Sequence, residues 1–286
     1  EQIADDAVDA LFPPALALGQ PDSGLLGYPF ALHSLPQLAY NSNVITGTLP
    51  LTWERLTDDE DLRYIFAADG LDGALLALEF YLDAGGQLVD ESGQPALEMD
   101  PLVAALQYLA DARDNGFFAP ESATISTTDQ TWQSFLSGAG NIAQTTTDHF
   151  LGQTVSGLPI AYTVIPGIDR PLTPLVDGWV WAVTTSDPGG QGRAVILIQE
   201  LTAPDNLAVW SYESDILPAR RDAFDAWPEQ DPYLDFVRQE LERAQPLSVP
   251  SSGKLITVLG DAVFQVISDN RTAQQAAADA VNAMKS

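Results

Sequence analysis

The 286-residue chain contains no cysteine, which excludes thiol catalysis, thiolate-bound zinc and disulfide stapling in one step. That absence does not by itself fix a compartment. Histidine is nearly as scarce: only His33 and His149 occur, far apart in sequence, so a two-histidine metal site would need the fold to unite them. Lysine is limited to Lys254 and Lys285. Lys and Arg together number 12 against 40 Asp and Glu, a net charge of -28, and such a surface repels nucleic acid and anionic lipid. The acids are scattered, as on a solvated, exported or salt-adapted surface. The one dense run, DDED at 58–61, lacks the interleaved glycine of a calcium loop. No apolar run reaches the roughly 18 residues of a membrane span. Glu1 leads directly into EQIADDAVDALF without a secretory leader, so an exported form would have lost one. No metal site and no cofactor are expected.

Hydrophobic residues make up 45% of the chain, enough for one large or two medium globular domains. Residues 11–39, rich in Pro and Gly, read as loop with short strands, and LLGYPFAL at 25–32 as a buried strand interrupted by Pro29. TWERLTDDEDLRYIF reads as a helix from Thr52. Residues 73–84 form a second, closed by Gly85-Gly86. QLVDESGQPAL at 87–97 reads as a hairpin with a Ser-Gly turn. Asp100-Pro101 reads as N-cap and first residue of a helix with Leu102, Leu106, Leu109 and Arg113 on one stripe, stopping at Asn115-Gly116. TWQSFLSG is a short helix; GNIAQTT and IAYTVIPG are strands; GWVWAVTT alternates like a half-buried strand. Ser186 reads as the cap of a helix whose apolar positions 194, 197, 198 and 201 pack on a sheet. Asp231-Pro232 opens a helix with Tyr233, Phe236, Val237 and Leu241 inward. TAQQ, Thr272 to Gln275, is a capping box for the last helix. Strands and helices mix throughout, so the fold class is α/β.

The order of short motifs resembles the extracellular solute-binding proteins of ABC transporters, family 1, the sugar-binding, maltose-binding-protein-like group. Gly27-Tyr28-Pro29 precedes Tyr40-Asn41, and Pro50-Leu51-Thr52-Trp53-Glu54 follows. Then come Gly85-Gly86 before a hairpin, Phe135-Leu136-Ser137-Gly138 before NIAQTT, and Gly178-Trp179 leading to Ser186. Leu217-Pro218-Ala219-Arg220 and a closing VPSSGKLITVLGDAVFQVISDN complete the series. The resemblance implies a two-lobed, type II periplasmic-binding-protein architecture with an incomplete amino-terminal lobe, because the opening residues resemble the segment after the family's first strand-helix-strand unit. It implies that 1–41 and 170–210 are the remainder of that lobe, and that 42–169 and 211–286 form the carboxy-terminal lobe with closing helices. Tyr40-Asn41 would lie near the hinge and Trp53 would anchor the second lobe.

The same resemblance implies capture of a small solute, a carbohydrate, by lobe closure and delivery to a membrane permease. It implies an extracytoplasmic location, with a lipoprotein anchor in the precursor. Candidate ligand contacts are the aromatic faces of Trp132, Trp179, Trp210 and Tyr212, the polar groups of Asn41, Thr146, Asp148 and Asp177, the backbone at Gly178, and Arg220 as a cleft-rim anion clamp. Trp181 reads as packing. Leu255-Ile256-Thr257 and the QTTTDHF strand end stand where sugar-binding relatives carry aromatics, which points to a smaller or more polar ligand than a maltodextrin. A sheet without its first strands would expose an edge and an apolar face, so partner pairing, homodimerisation through that edge, or poor order is expected there. Two rival readings remain open at this stage: a sensor or interaction module that has lost transport, and a glycoside-acting enzyme using carboxylates such as Asp148 and Asp177.

Overall fold

The computed structural model describes residues 5–20, 24–47, 49, 52–151, 159–228, 232–247, 253–269 and 271–285. In chain order the elements are α1 (Asp5–Asp9), α2 (Pro13–Gly19), β1 (Tyr28–His33), β2 (Pro36–Asn41), α3 (Trp53–Thr57), β3 (Tyr64–Ile65), α4 (Leu71–Asp83), α5 (Met99–Asp114), α6 (Thr128–Leu136), β4 (Ile142–Thr146) and α7 (Asp148–Leu151). There follow β5 (Ile160–Thr163), β6 (Leu175–Trp181), α8 (Pro188–Leu201), α9 (Pro204–Glu213), β7 (Leu217–Pro218), α10 (Arg221–Asp225), α11 (Pro232–Arg243), β8 (Gln245–Pro246), α12 (Lys254–Ile267) and α13 (Ala273–Lys285). They divide into two units: 1–35, 147–154 and 174–248 form the first, and 36–146, 155–173 and 249–286 the second. Segment 211–248, expected with the carboxy-terminal lobe, thus falls in the first unit, and the chain first passes between the units at Leu35 and Pro36, a few residues ahead of Tyr40-Asn41.

The first unit is built on a sheet ordered β7-β1-β6-β8. Pro29 lies inside β1, where it cannot donate to the ladder, and the register with β6 slips between Pro29 and Ala31. Residues expected as loop contain α2, because Pro13 and Pro14 occupy its first turn, where the missing N–H groups cost nothing. The core gathers Phe12, Leu32, Leu35, Phe224, Val237 and Leu241, with Phe12 edge-on to Phe224 at 6.2 Å. On α11, Val237 and Leu241 are buried as expected while Tyr233 and Phe236 are half-buried; Asp231 lies outside the described residues. On α8 the cap is Asp187, not Ser186: Pro188 takes the first helical position, so its immediate neighbour receives the Gly190 N–H. Of the apolar stripe on α8 only Ile198 is buried, at 8% exposure, while Leu197 is 58% exposed. The β6 run likewise leaves Trp179, Val180, Trp181 and Val183 exposed, so it is not the half-buried strand its alternation suggests.

The second unit has a sheet ordered β3-β4-β2-β5, with β2 antiparallel to both neighbours and β3 parallel to β4. Trp53 anchors this unit as the resemblance implies. It is fully buried, edge-on to Tyr64, Phe80 and Phe117, and its Nε1 donates to the Tyr108 carbonyl at 3.2 Å. The preceding Pro50 and Leu51 lie outside the described residues. The helix expected from Thr52 onward ends at Thr57, and the acids after it turn back on themselves, with the Asp59 carboxylate accepting from Asp61 N at 3.0 Å. α5 starts two residues earlier than Asp100-Pro101 suggests: Glu98 is the N-cap position, and Pro101 sits in the first turn, where its N–H would have no helical acceptor. The 87–97 hairpin contracts to a single bridge, Val89 to Pro95, around a turn held by Asp90. The capping box forms: Gln275 N donates to Thr272 Oγ1 at 3.2 Å and Thr272 N to Gln275 Oε1 at 3.4 Å.

Candidate functional site

In the first unit β1 and β6 run antiparallel, setting Tyr28 opposite Trp181, Ala31 opposite Trp179 and His33 opposite Asp177. The chain leaves β1 through Ser34, whose φ of 58° places a non-glycine residue in the left-handed region. Asp148, at the start of α7, steadies that turn: its two carboxylate oxygens accept from Ser34 N and Ser34 Oγ, each at 3.4 Å. Ser34 Oγ also lies 3.1 Å from His33 Nδ1. The His33 ring stands 6.0 Å from the indole of Trp179, tilted by 37°. Trp179 itself is 61% exposed. Asp177 accepts the Gly178 N–H at 2.7 Å and is partly exposed. Gly178 is required by the backbone, since a Cβ there would meet the Ala31 carbonyl at 2.6 Å.

These strand ends therefore bring together three of the expected contacts, Asp148, Asp177 and Trp179, around His33 and Ser34. In the sequence His33 offers only an improbable metal ligand, and Ser34 carries no motif. The signal for both was their place at the end of a strand whose partner carries Asp177 and Trp179. The cluster offers an aromatic face, two carboxylates, a hydroxyl and an imidazole. That is a fit for a neutral polyhydroxylated molecule: hydroxyls donate to carboxylates, and C–H faces lie on the indole.

The other expected contacts are placed differently. Trp132 is 1% exposed and packs in the second unit's core with Phe135 at 5.7 Å, so its face is spent on packing. Asn41 and Thr146 end β2 and β4 of that unit; the Asn41 side chain accepts from Asn43 N at 3.0 Å. Trp210 packs on Phe30 at 5.6 Å, and Phe30 stacks on Trp181 at 4.8 Å. Tyr212 meets Trp227 edge-on at 5.7 Å.

Arg220, expected as a rim anion clamp, is instead 8% exposed and fully engaged. Its Nε and Nη2 hold Asp222 in a fork at 2.9 and 2.6 Å, and Nη1 donates to Tyr28 Oη at 3.1 Å and to the Thr202 carbonyl at 3.4 Å. The hydrogen bonds from Arg220 hold the Asp222 carboxyl below its ordinary range, and burial raises the Tyr28 phenol. Arg221 points elsewhere, pairing with Glu242 and donating to the Leu11 carbonyl. No cluster of three or more metal-ligating side chains, and no helix long and apolar enough to cross a membrane, occurs among the described residues.

The family profile described as bacterial extracellular solute-binding protein matches residues 1–235. The chain belongs to that family. Solved structures agree on the fold of this solute-binding protein. Maltose-bound MalE3 of T. maritima matches with a TM-score of 0.74 at 16% identity, over 97% of this chain and 76% of that one. The cyclic alpha-maltosyl-1,6-maltose binding protein of Arthrobacter globiformis gives 0.74 at 18% identity, over 99% and 77%. The GacH receptor of Streptomyces glaucescens, solved unliganded and with acarbose, gives 0.75 at 15% identity, over 99% and 76%. At such identities the likeness is one of fold: mixed α/β with two sheets, as in the MalE-type binding proteins. No curated protein sequence matches the chain.

Proposed function

We propose that this solute-binding protein captures a neutral carbohydrate outside the cytoplasm, without turning it over, and delivers it to an ABC permease by closure of its two lobes. The observation that carries the reading is Trp179, an indole left 61% exposed beside His33, Asp148 and Asp177. An exposed indole beside carboxylates matches the C–H face and the hydroxyls of a sugar. The family match and the sugar-binding proteins that share the fold support the same class of ligand. Trp179 supplies the platform, and Asp148 and Asp177 accept ligand hydroxyls; Asn41 and Thr146, at strand ends of the second unit, are proposed ligand contacts of that unit. The two carboxylates of the first-unit cluster favour an uncharged sugar over an acidic one. The precursor carries a lipid anchor, and a second copy pairs with the open edge of β6. There β8 covers only Leu175 and Val176 among the described residues, leaving Asp177 to Trp181 with β1 on one side.

The test is a thermal-shift screen of mono- and disaccharides, polyols and amino acids, followed by calorimetry on the hits with wild type and Trp179→Ala. Binding to the folded state raises the melting temperature by linkage. A neutral sugar should shift it, and truncating Trp179 should weaken binding about tenfold or more, the loss of a stacked aromatic face. A hit confined to amino acids, or sugar binding indifferent to Trp179, would refute the reading.

A further inference from the structure

A second feature of the first unit is untouched by the sugar reading. A cavity of about 300 Å³ opens between α7, the end of α9 and the start of α11. Its aromatic lining comes from Phe150, Tyr212, Trp227 and Tyr233, and its acidic lining from Glu213 and Asp215. Phe150 and Tyr233 stack at 5.0 Å, and Trp227 stands edge-on to Tyr212 at 5.7 Å. The Trp227 N–H is committed to Ser211 Oγ at 2.9 Å and its ring packs on Phe224 at 4.9 Å, so the indole gives the cavity an apolar wall rather than a donor.

The backbone at Asp215 adds an independent argument. After α4, α5 and α6 the chain turns through a left-handed residue, and each time that residue is glycine: Gly85, Gly116 and Gly138. After α9 the same position is Asp215, with φ of 54°. The closing bonds of the turn are present, Ile216 N to Ser211 O at 3.0 Å and Asp215 N to Tyr212 O at 3.3 Å. A carboxylate thus stands at a strained position that the chain elsewhere gives to glycine, and it stands on the wall of an aromatic cavity.

We propose that this cavity binds a small organic cation of the alkylated-ammonium class. Aromatic faces attract a diffuse positive charge, two carboxylates neutralise it, and none of the described residues lining the cavity is a Lys or Arg that would oppose it. An inorganic cation would leave the aromatic walls unused. The volume is at the lower end of small-molecule sites, roughly 300–1,000 Å³.

The experiment is calorimetry and ligand-observed saturation-transfer NMR on the whole chain with choline, tetramethylammonium, sodium chloride at matched ionic strength, and 3,3-dimethyl-1-butanol, the uncharged carbon isostere of choline. Choline should bind saturably, with the isostere about tenfold weaker or worse. Asp215→Asn combined with Glu213→Gln should cost a similar factor while the melting temperature holds, because both residues are exposed and asparagine accepts the left-handed conformation. Asp215→Gly separates roles further: it should stabilise the turn while weakening choline. Equal binding of choline and its isostere, insensitivity to the Asp215 and Glu213 substitutions, or no saturable cation binding would each overturn the proposal. Sugar binding at Trp179 can succeed or fail independently of any of these results.

Discussion

Replacing Arg220 by methionine tests whether this arginine builds the first unit or meets a ligand. Methionine keeps most of the aliphatic stem and removes four hydrogen bonds. The fork to Asp222 is worth about 1 kcal/mol, because the Asp222 side chain is 42% exposed and regains water when released. The buried Thr202 carbonyl loses its donor at about 1–2 kcal/mol. The Tyr28 hydroxyl keeps its bond to the Ala7 carbonyl at 3.0 Å, so it adds little. The sum is roughly 2–3 kcal/mol, or a fall of roughly 5–15 °C in the first unit's transition. Scanning calorimetry should show that transition moving while the second unit's stays. The pH dependence has a definite sign. Asp222 has a depressed folded-state pKa, so its contribution is complete above the unfolded value near pH 4 and is lost as the pH falls through the folded value. The gap between wild type and Arg220→Met should therefore be constant through neutral pH and narrow on acidification below about pH 4. An unchanged transition with lost ligand affinity would refute the structural role and restore the anion clamp.

Three further outcomes follow from the same geometry. Thr272→Ala removes the reciprocal cap of α13 and should cost the second unit about 1 kcal/mol, read by the same calorimetry, with ligand affinity unchanged. Gly86→Ala would put a Cβ 2.3 Å from the Tyr81 ring, whose hydroxyl is tied to the Gln87 carbonyl, and should destabilise the second unit by about 1–3 kcal/mol in urea melts. Val180→Lys places a charge on the open edge of β6 and should convert a dimer to monomer in sedimentation velocity; a wild type that is monomeric at all concentrations contradicts edge pairing.

What could be read from the sequence was mostly local. TAQQ specifies a cap because both partners lie within one turn, and Gly85 and Gly116 stop their helices because few other residues adopt a positive φ without strain. The leucine stripe of α5 is buried as its period implies. The order of weak motifs pointed to the right family because most of them mark backbone turns and core anchors, Gly85 and Trp53 among them. Long-range facts were beyond a local reading. Arg220 is buried because Tyr28, 192 positions earlier, supplies an acceptor. The α8 stripe looks like a core face and is exposed, since periodicity shows that a helix has an apolar side and not what covers it. Of the candidate contacts, Asp148, Asp177 and Trp179 come together at the ends of β1 and β6, whereas Trp132 shares their chemistry and is consumed by packing, a difference that only the long-range fold decides.

The central claim is that the indole beside His33, Asp148 and Asp177 receives a neutral sugar. Isothermal titration of the best thermal-shift saccharide into wild type, Trp179→Ala and Asp177→Asn tests it most directly. The expected result is saturable one-site binding in the wild type, weakened about tenfold or more by Trp179→Ala at an unchanged melting temperature, with a smaller loss for Asp177→Asn. A saccharide that binds all three proteins equally would contradict it.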